Sequence, residues 1–160
     1  MPYYIVAVVL FILLKLGFTV ADNGDLDFLL KPTDVIVGLL TGSHSVYILD
    51  KGYYHASLNI LLNKSCSGFN YWVLCFLVFT YLTVKYFAKP LHKALAIPIS
   101  LCCAYLLTIF ANSSRIFASI VVQRQMLHEA IGIIVYLSFL VLVYYLTEKL
   151  LKGRHNAKNL

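Results

Sequence analysis

Three residues in this chain are of types that together perform nucleophilic catalysis. Cys66 sits in the polar turn Asn63-Lys64-Ser65-Cys66-Ser67-Gly68, Arg115 closes Asn112-Ser113-Ser114-Arg115, and His128 lies in Leu127-His128-Glu129-Ala130. A cysteine beside Ser65, Ser67 and Gly68 at the start of a helix has its thiolate favoured by the helix dipole and by free N–H groups. An arginine can stabilise a thiolate or an oxyanion, and Asn112, three residues earlier, shares its helical face. Histidine is the usual proton-transfer partner of a cysteine nucleophile. The chemistry on offer is acyl transfer through a thioester. Each residue also has a plainer reading: a packing thiol, a snorkelling interfacial arginine and a surface histidine. Their conjunction carries more weight than any one of them, because each stands at the mouth of a different apolar run.

Those runs dominate the composition. Of 160 residues, 61% are hydrophobic and 12% charged, and the mean hydropathy is +0.81. Soluble domains carry about 25% charged residues, so this balance points to a membrane protein of a single domain, residues 1–160. The net charge of +6 gathers near the ends of apolar runs, which speaks for membrane orientation rather than nucleic-acid binding. Cys75, Cys102 and Cys103 lie inside apolar runs. No CxxC pair and no Cys/His ligand spacing occurs, so neither a metal nor a cofactor is expected.

The spacing predicts four transmembrane helices, over residues 3–20, 69–87, 94–115 and 130–148, each near the ~17–25 residues a bilayer requires. The first run competes with a cleaved signal peptide, for which Thr19-Val20-Ala21 would serve as a cleavage site. It lacks a basic leading region and Lys15 interrupts it, so a retained helix is expected, with Lys15 snorkelling or facing the bundle. The polar segment 21–68 holds a predicted amphipathic helix starting at Pro32-Thr33-Asp34, with Val35, Ile36, Leu39 and Leu40 on one face and Gly42 as its stop. A β-hairpin follows, with Ser45 to Leu49 as one strand, Asp50-Lys51-Gly52 as the turn and Tyr53 to Leu62 as the second strand on its alternating pattern. The fold class is therefore an all-α polytopic membrane protein with a small extracytoplasmic amphipathic helix and β-hairpin.

Orientation follows from the basic residues. Lys85, Lys89 and Lys93 surround one turn, and Lys149, Lys152, Arg154 and Lys158 close the chain, all without an acid between them, whereas 21–68 carries Asp22, Asp25, Asp27, Asp34 and Asp50 against Lys31, Lys51 and Lys64. The positive-inside rule puts the first two in the cytoplasm and the third outside. By parity both termini are inside, in the cytoplasmic membrane, and Cys66, Arg115 and His128 share the outer face. His92 and His155 then lie on the wrong side. His55, on the polar side of a strand, is expected to be solvated and is the reserve base. Asn63-Lys64-Ser65 and Asn112-Ser113-Ser114 match the glycosylation pattern by chance, close as they are to the membrane.

Ser65-Cys66-Ser67-Gly68 ahead of a spanning helix, then Asn112-x-x-Arg115, then His128 opening the last helix with Gly132 one turn on, resembles the exosortase/archaeosortase family, and most of all its short exosortase K type branch. The motifs reach from the hairpin to the fourth helix. The chain departs from larger members in having fewer spanning helices and is similar to a bare catalytic core. The resemblance implies a membrane-embedded cysteine transpeptidase or protease acting on secreted proteins that end in a Pro-Glu-Pro-like motif, a spanning helix and a basic tail. It implies Cys66 as nucleophile, Arg115 as stabiliser of thiolate or oxyanion, and His128 as proton carrier, supported by Asn112, Ser67 and Gly68. The acyl acceptor is left open, as amine or water, and the lipid bilayer is the other partner. Two alternatives belong to different classes: a four-helix thiol/quinone redox protein, which calls for paired outer cysteines, and a non-catalytic membrane assembly subunit, in which the three residues need not converge.

Overall fold

The computed structural model describes residues 2–87, 90–122 and 128–156. In chain order the elements are α1 (Pro2–Val20), α2 (Asp27–Thr41), β1 (Ser45–Ile48), β2 (Gly52–His55), β3 (Ile60–Leu62), a single 3-10 turn (Lys64–Cys66), α3 (Phe69–Tyr86), α4 (Pro90–Val122) and α5 (His128–Asn156). Among the described residues α1, α3, α4 and α5 are long and apolar enough to cross a membrane. At 1.5 Å per residue, the 33 residues of α4 reach about 50 Å. It therefore outruns the predicted 94–115 span and continues beside the small sheet, where Ile116 and Ile120 pack with Val37 and Leu62.

The central helix is α3. Phe69, Tyr71, Trp72, Val73, Cys75, Phe76 and Phe79 are all buried, as expected of a helix apolar all round. By contrast α1 and α5 expose Ile5, Leu13 and Leu16, and Ile133, Leu137 and Val141, the surface that lipid would cover in a spanning bundle. The chain reverses at each end. At one end Phe18 of α1 stacks on Phe69 at the start of α3, with ring centroids 4.6 Å apart, and Lys15 reaches Asn70 Oδ1 at 2.5 Å. At the other, Tyr86 donates to Glu148 at 2.9 Å, with Lys85 3.6 Å away from the same carboxylate. The start of α3, the end of α4 and the start of α5 thus share one end of the bundle.

Three local expectations are corrected. First, α2 begins at Asp27, and Pro32 lies inside it rather than at its start. A proline there cannot donate to the carbonyl four residues back, which is that of Phe28. Tyr105 of α4 supplies the missing donor, its hydroxyl lying 2.8 Å from Phe28 O. Second, Val35, Leu39 and Leu40 are exposed, while the buried stripe of α2 is Leu29, Leu30, Thr33, Asp34 and Val37. Gly42 does stop the helix, in the left-handed region at φ 65°. Third, the hairpin is a three-stranded antiparallel sheet in the order β1-β2-β3. The expected second strand breaks at 56–59, where Asn59 turns to φ 51° and Leu58 N donates to His55 O.

Candidate active site

Cys66 is held by a turn that is bonded on every side. Asn63 caps it, its Oδ1 accepting from Ser65 N at 3.1 Å and Ser65 Oγ at 2.7 Å, while Cys66 N donates to Asn63 O at 2.7 Å. Lys64 anchors the turn to the end of α1: its amide donates to Asn23 Oδ1 at 2.6 Å, its ammonium donates to Ala21 O at 2.7 Å and lies 4.8 Å from the Phe18 ring centroid. Ser67 is buried and links turn to helix, donating to Lys64 O at 2.8 Å and accepting from Phe69 N at 3.3 Å. Gly68 is the N-cap of α3 at φ 71°. The expectation that Cys66 itself stands at a helix N-terminus is therefore corrected. It closes the 3-10 turn, and Ser67 and Gly68 intervene before α3.

The joint between the three chain segments is Asn112, which is fully buried. Its Nδ2 donates to Cys66 O at 2.5 Å. Its Oδ1 accepts from Arg115 Nε at 3.2 Å, one helical turn on, and from Tyr136 Oη of α5 at 2.6 Å. Tyr136 in turn stacks on Tyr71 of α3, with centroids 4.3 Å apart and planes 10° from parallel, and the Arg115 guanidinium lies 5.4 Å from its ring. An amide with both ends engaged at this depth is costly to move, because each abandoned partner would be left unsatisfied. Two glycines let the parts close up. A Cβ on Gly68 would meet Asn112 Cγ at 3.1 Å, and one on Gly132 would meet Arg115 Cδ at 3.3 Å.

Cys66 and Arg115 are thus joined through one asparagine, by the main-chain carbonyl of Cys66 rather than by its sulfur. Among the described residues the sulfur's polar neighbours are Ser65 Oγ at 3.8 Å and Leu61 O at 4.0 Å, and its side chain packs on the cluster of Val37, Leu62 and Ile116. Next to the turn opens a cavity of about 620 Å³, lined by Ser65, Ser67, Gly68, Tyr71, Arg115 and Tyr136 among others, with Cys66 itself not in its lining. His128 begins α5 at this same end, but its side chain lies outside the described residues. Tyr136 and Tyr71 were missed in the sequence. For Tyr136 the available signal was a phenol within an apolar run, which usually finds a partner when buried; Tyr71 enters by ring stacking.

His55 is not solvated. It is 1% exposed, with Nε2 2.7 Å from Asp34 Oδ1 and Nδ1 2.8 Å from Ser43 Oγ, and Ser45 donates to the other Asp34 oxygen at 2.8 Å. The Ser43–His55–Asp34 order is that of a hydrolytic triad, yet the protons run the other way. Thr41 donates its hydroxyl proton to Val37 O at 2.7 Å, so Ser43, 2.7 Å from Thr41, donates to it and accepts from His55. The cluster clasps the sheet to α2, with both ring nitrogens of His55 engaged within it.

No model of a known protein family matches this chain. Searches of curated proteins and of solved structures likewise found no match.

Proposed function

We propose that this chain is a membrane-embedded cysteine transpeptidase or protease of exosortase type. It removes a C-terminal sorting signal, made of a Pro-Glu-Pro-like motif, a spanning helix and a basic tail, from secreted proteins at the outer face of the cytoplasmic membrane. The observation that carries this reading is the Asn112 node, which ties the Cys66 turn, Arg115 and α5 together at one end of the bundle. The Cys66 thiolate adds to the scissile carbonyl carbon, forming a C–S bond. With Nε of Arg115 committed to Asn112, the terminal guanidinium nitrogens are the donors left for the oxyanion. Collapse breaks the C–N bond, and His128 gives its proton to the leaving amine. An amine acceptor or water then takes the acyl group and restores the thiol. The apolar faces left open on α1 and α5 suit the spanning helix of the substrate.

The redox alternative needs a second thiol at the level of Cys66, whereas Cys75 lies within α3 and Cys102 and Cys103 within α4. The deciding experiment is co-expression of Cys66→Ala with a secreted reporter carrying the tripartite tail. The reporter should accumulate with its tail attached, and normal removal of the tail by this variant would end the nucleophile assignment.

A further inference from the structure

The open edge of the sheet runs past the Cys66 sulfur. Among the described residues the third strand pairs only with β2, in the register Tyr53↔Leu62, Tyr54↔Leu61 and His55↔Ile60. In an antiparallel pair, successive residues point their N–H and C=O alternately toward the partner strand and away from it. Leu62 O comes so close to Gly52 that a Cβ there would meet it at 2.2 Å. Leu62 therefore faces β2, and Leu61 turns its N–H and C=O to the free side. On that side Leu61 O lies 4.0 Å from Cys66 Sγ. The tight turn 63–66 brings this about, reversing the chain so that the Cys66 side chain returns to the level of Leu61.

We propose that the substrate's extended segment adds to this edge as a fourth strand, pairing its main chain with the N–H and C=O of Leu61, so that the paired peptide group stands beside Cys66 Sγ. The proposal rests on Cys66 being the nucleophile. Neighbouring strands lie about 4.8 Å apart, so a peptide N–H bonded to Leu61 O brings its own carbonyl carbon toward a sulfur that lies 4.0 Å from that oxygen. The edge offers one outward residue, flanked by Ile60 and Leu62, which face β2. A Pro-x-Pro stretch suits such an edge, since the middle residue supplies N–H and C=O while the two prolines point their missing donors to the solvent side. Recognition through the main chain would also let the side chains of the substrate vary.

Two variants of the full-length protein in detergent, assayed on a purified reporter with the tripartite tail, test this. Leu61→Pro removes the outward N–H, and an outward proline is tolerated on an edge strand. It should slow tail removal about tenfold, the worth of one hydrogen bond, with the rate of Cys66 alkylation by a small maleimide unchanged. Leu61→Ala keeps the N–H and is the side-chain control against which the Leu61→Pro rate is read. Wild-type processing by Leu61→Pro overturns the strand-addition proposal. If that variant alters Cys66 alkylation, a synthetic tail peptide with single backbone amides replaced by esters decides. Losses at alternate positions support strand addition, and an even profile overturns it. Cys66→Ala separates the two readings. Tail retention by that variant together with unimpaired Leu61→Pro rejects only the strand addition, whereas tail removal by it rejects the nucleophile itself.

Discussion

Gly68 and Gly42 have nearly the same backbone and opposite surroundings, which makes them a matched test of how the Cys66 turn is wedged. Both are left-handed, at φ 71° and 65°. A Cβ on Gly42 would meet nothing within 4 Å, whereas one on Gly68 would meet Asn112 Cγ at 3.1 Å and Thr108 Cγ2 at 3.2 Å. An alanine held in that conformation costs about 1 kcal/mol after its smaller unfolded-state entropy is counted. Overpacking a closed contact adds about 1–3 kcal/mol, and Asn112 cannot retreat without loosening three hydrogen bonds. Gly42→Ala should therefore cost about 1 kcal/mol and Gly68→Ala about 2–4 kcal/mol. For a chain of this size that corresponds to midpoint losses of roughly 3 °C and 6–12 °C. Cys75, 1% exposed, reports unfolding by its labelling with a thiol dye once Cys66, Cys102 and Cys103 are alanine. If Gly68→Ala unfolds within about 1 °C of Gly42→Ala in that assay, Gly68 is not pressed on Asn112 and the proposed coupling of turn to α4 is wrong.

The same assay reads further substitutions at three places. Asn112→Ala strands Cys66 O, Arg115 Nε and Tyr136 Oη, and should lose about 3 kcal/mol, against about 1 kcal/mol for Tyr136→Phe, which removes a single bond; equal losses would contradict a three-way joint. Tyr105→Phe should cost about 1 kcal/mol by orphaning Phe28 O, and Pro32→Ala should rescue it by restoring the helical donor, so that the double variant is no less stable than Pro32→Ala alone. Burial, and then the Asp27 carboxylate 2.6 Å away, push the Tyr53 hydroxyl well above the usual tyrosine range. Below about pH 10 both folded and unfolded chains keep that proton and its contribution is complete; above it the unfolded chain sheds the proton first, so stability falls as pH rises. Tyr53→Phe should flatten that alkaline loss, and an unchanged slope would count against the Tyr53–Asp27 bond.

The four long helices were legible because apolar runs of this length have few other solutions. The small sheet was legible only in part. Tyr54, Ala56, Leu58, Ile60 and Leu62 alternate straight through the turn at 56–59, and a period of two is blind to a reversal of even length. Asn59 was the one local hint, since asparagine tolerates the left-handed region better than most residues. Pro32 was read as a helix start by the ordinary rule, and what overrules it is a hydroxyl that reaches Phe28 O from 77 residues further along the chain.

The site shows the same division between residue type and arrangement. Cys66, Arg115 and Asn112 stood out as polar exceptions beside apolar runs, but their ranking did not. Asn112 entered as a support and emerges as the joint. The bonds explain why: it touches Cys66 through the main-chain carbonyl, a group every residue has and no sequence pattern marks. That has a consequence for mutagenesis. Replacing the Cys66 side chain leaves its carbonyl, the asparagine and the Arg115 and Tyr136 bonds in place, so Cys66→Ala tests the thiol alone. Replacing Asn112 shifts the backbone that aims the thiol, and its effect on catalysis would be positional even though it never touches the sulfur. A loss of processing in Asn112→Ala accompanied by changed Cys66 alkylation, and a loss in Cys66→Ala with unchanged thermal stability, would together separate the aiming of the proposed nucleophile from its chemistry.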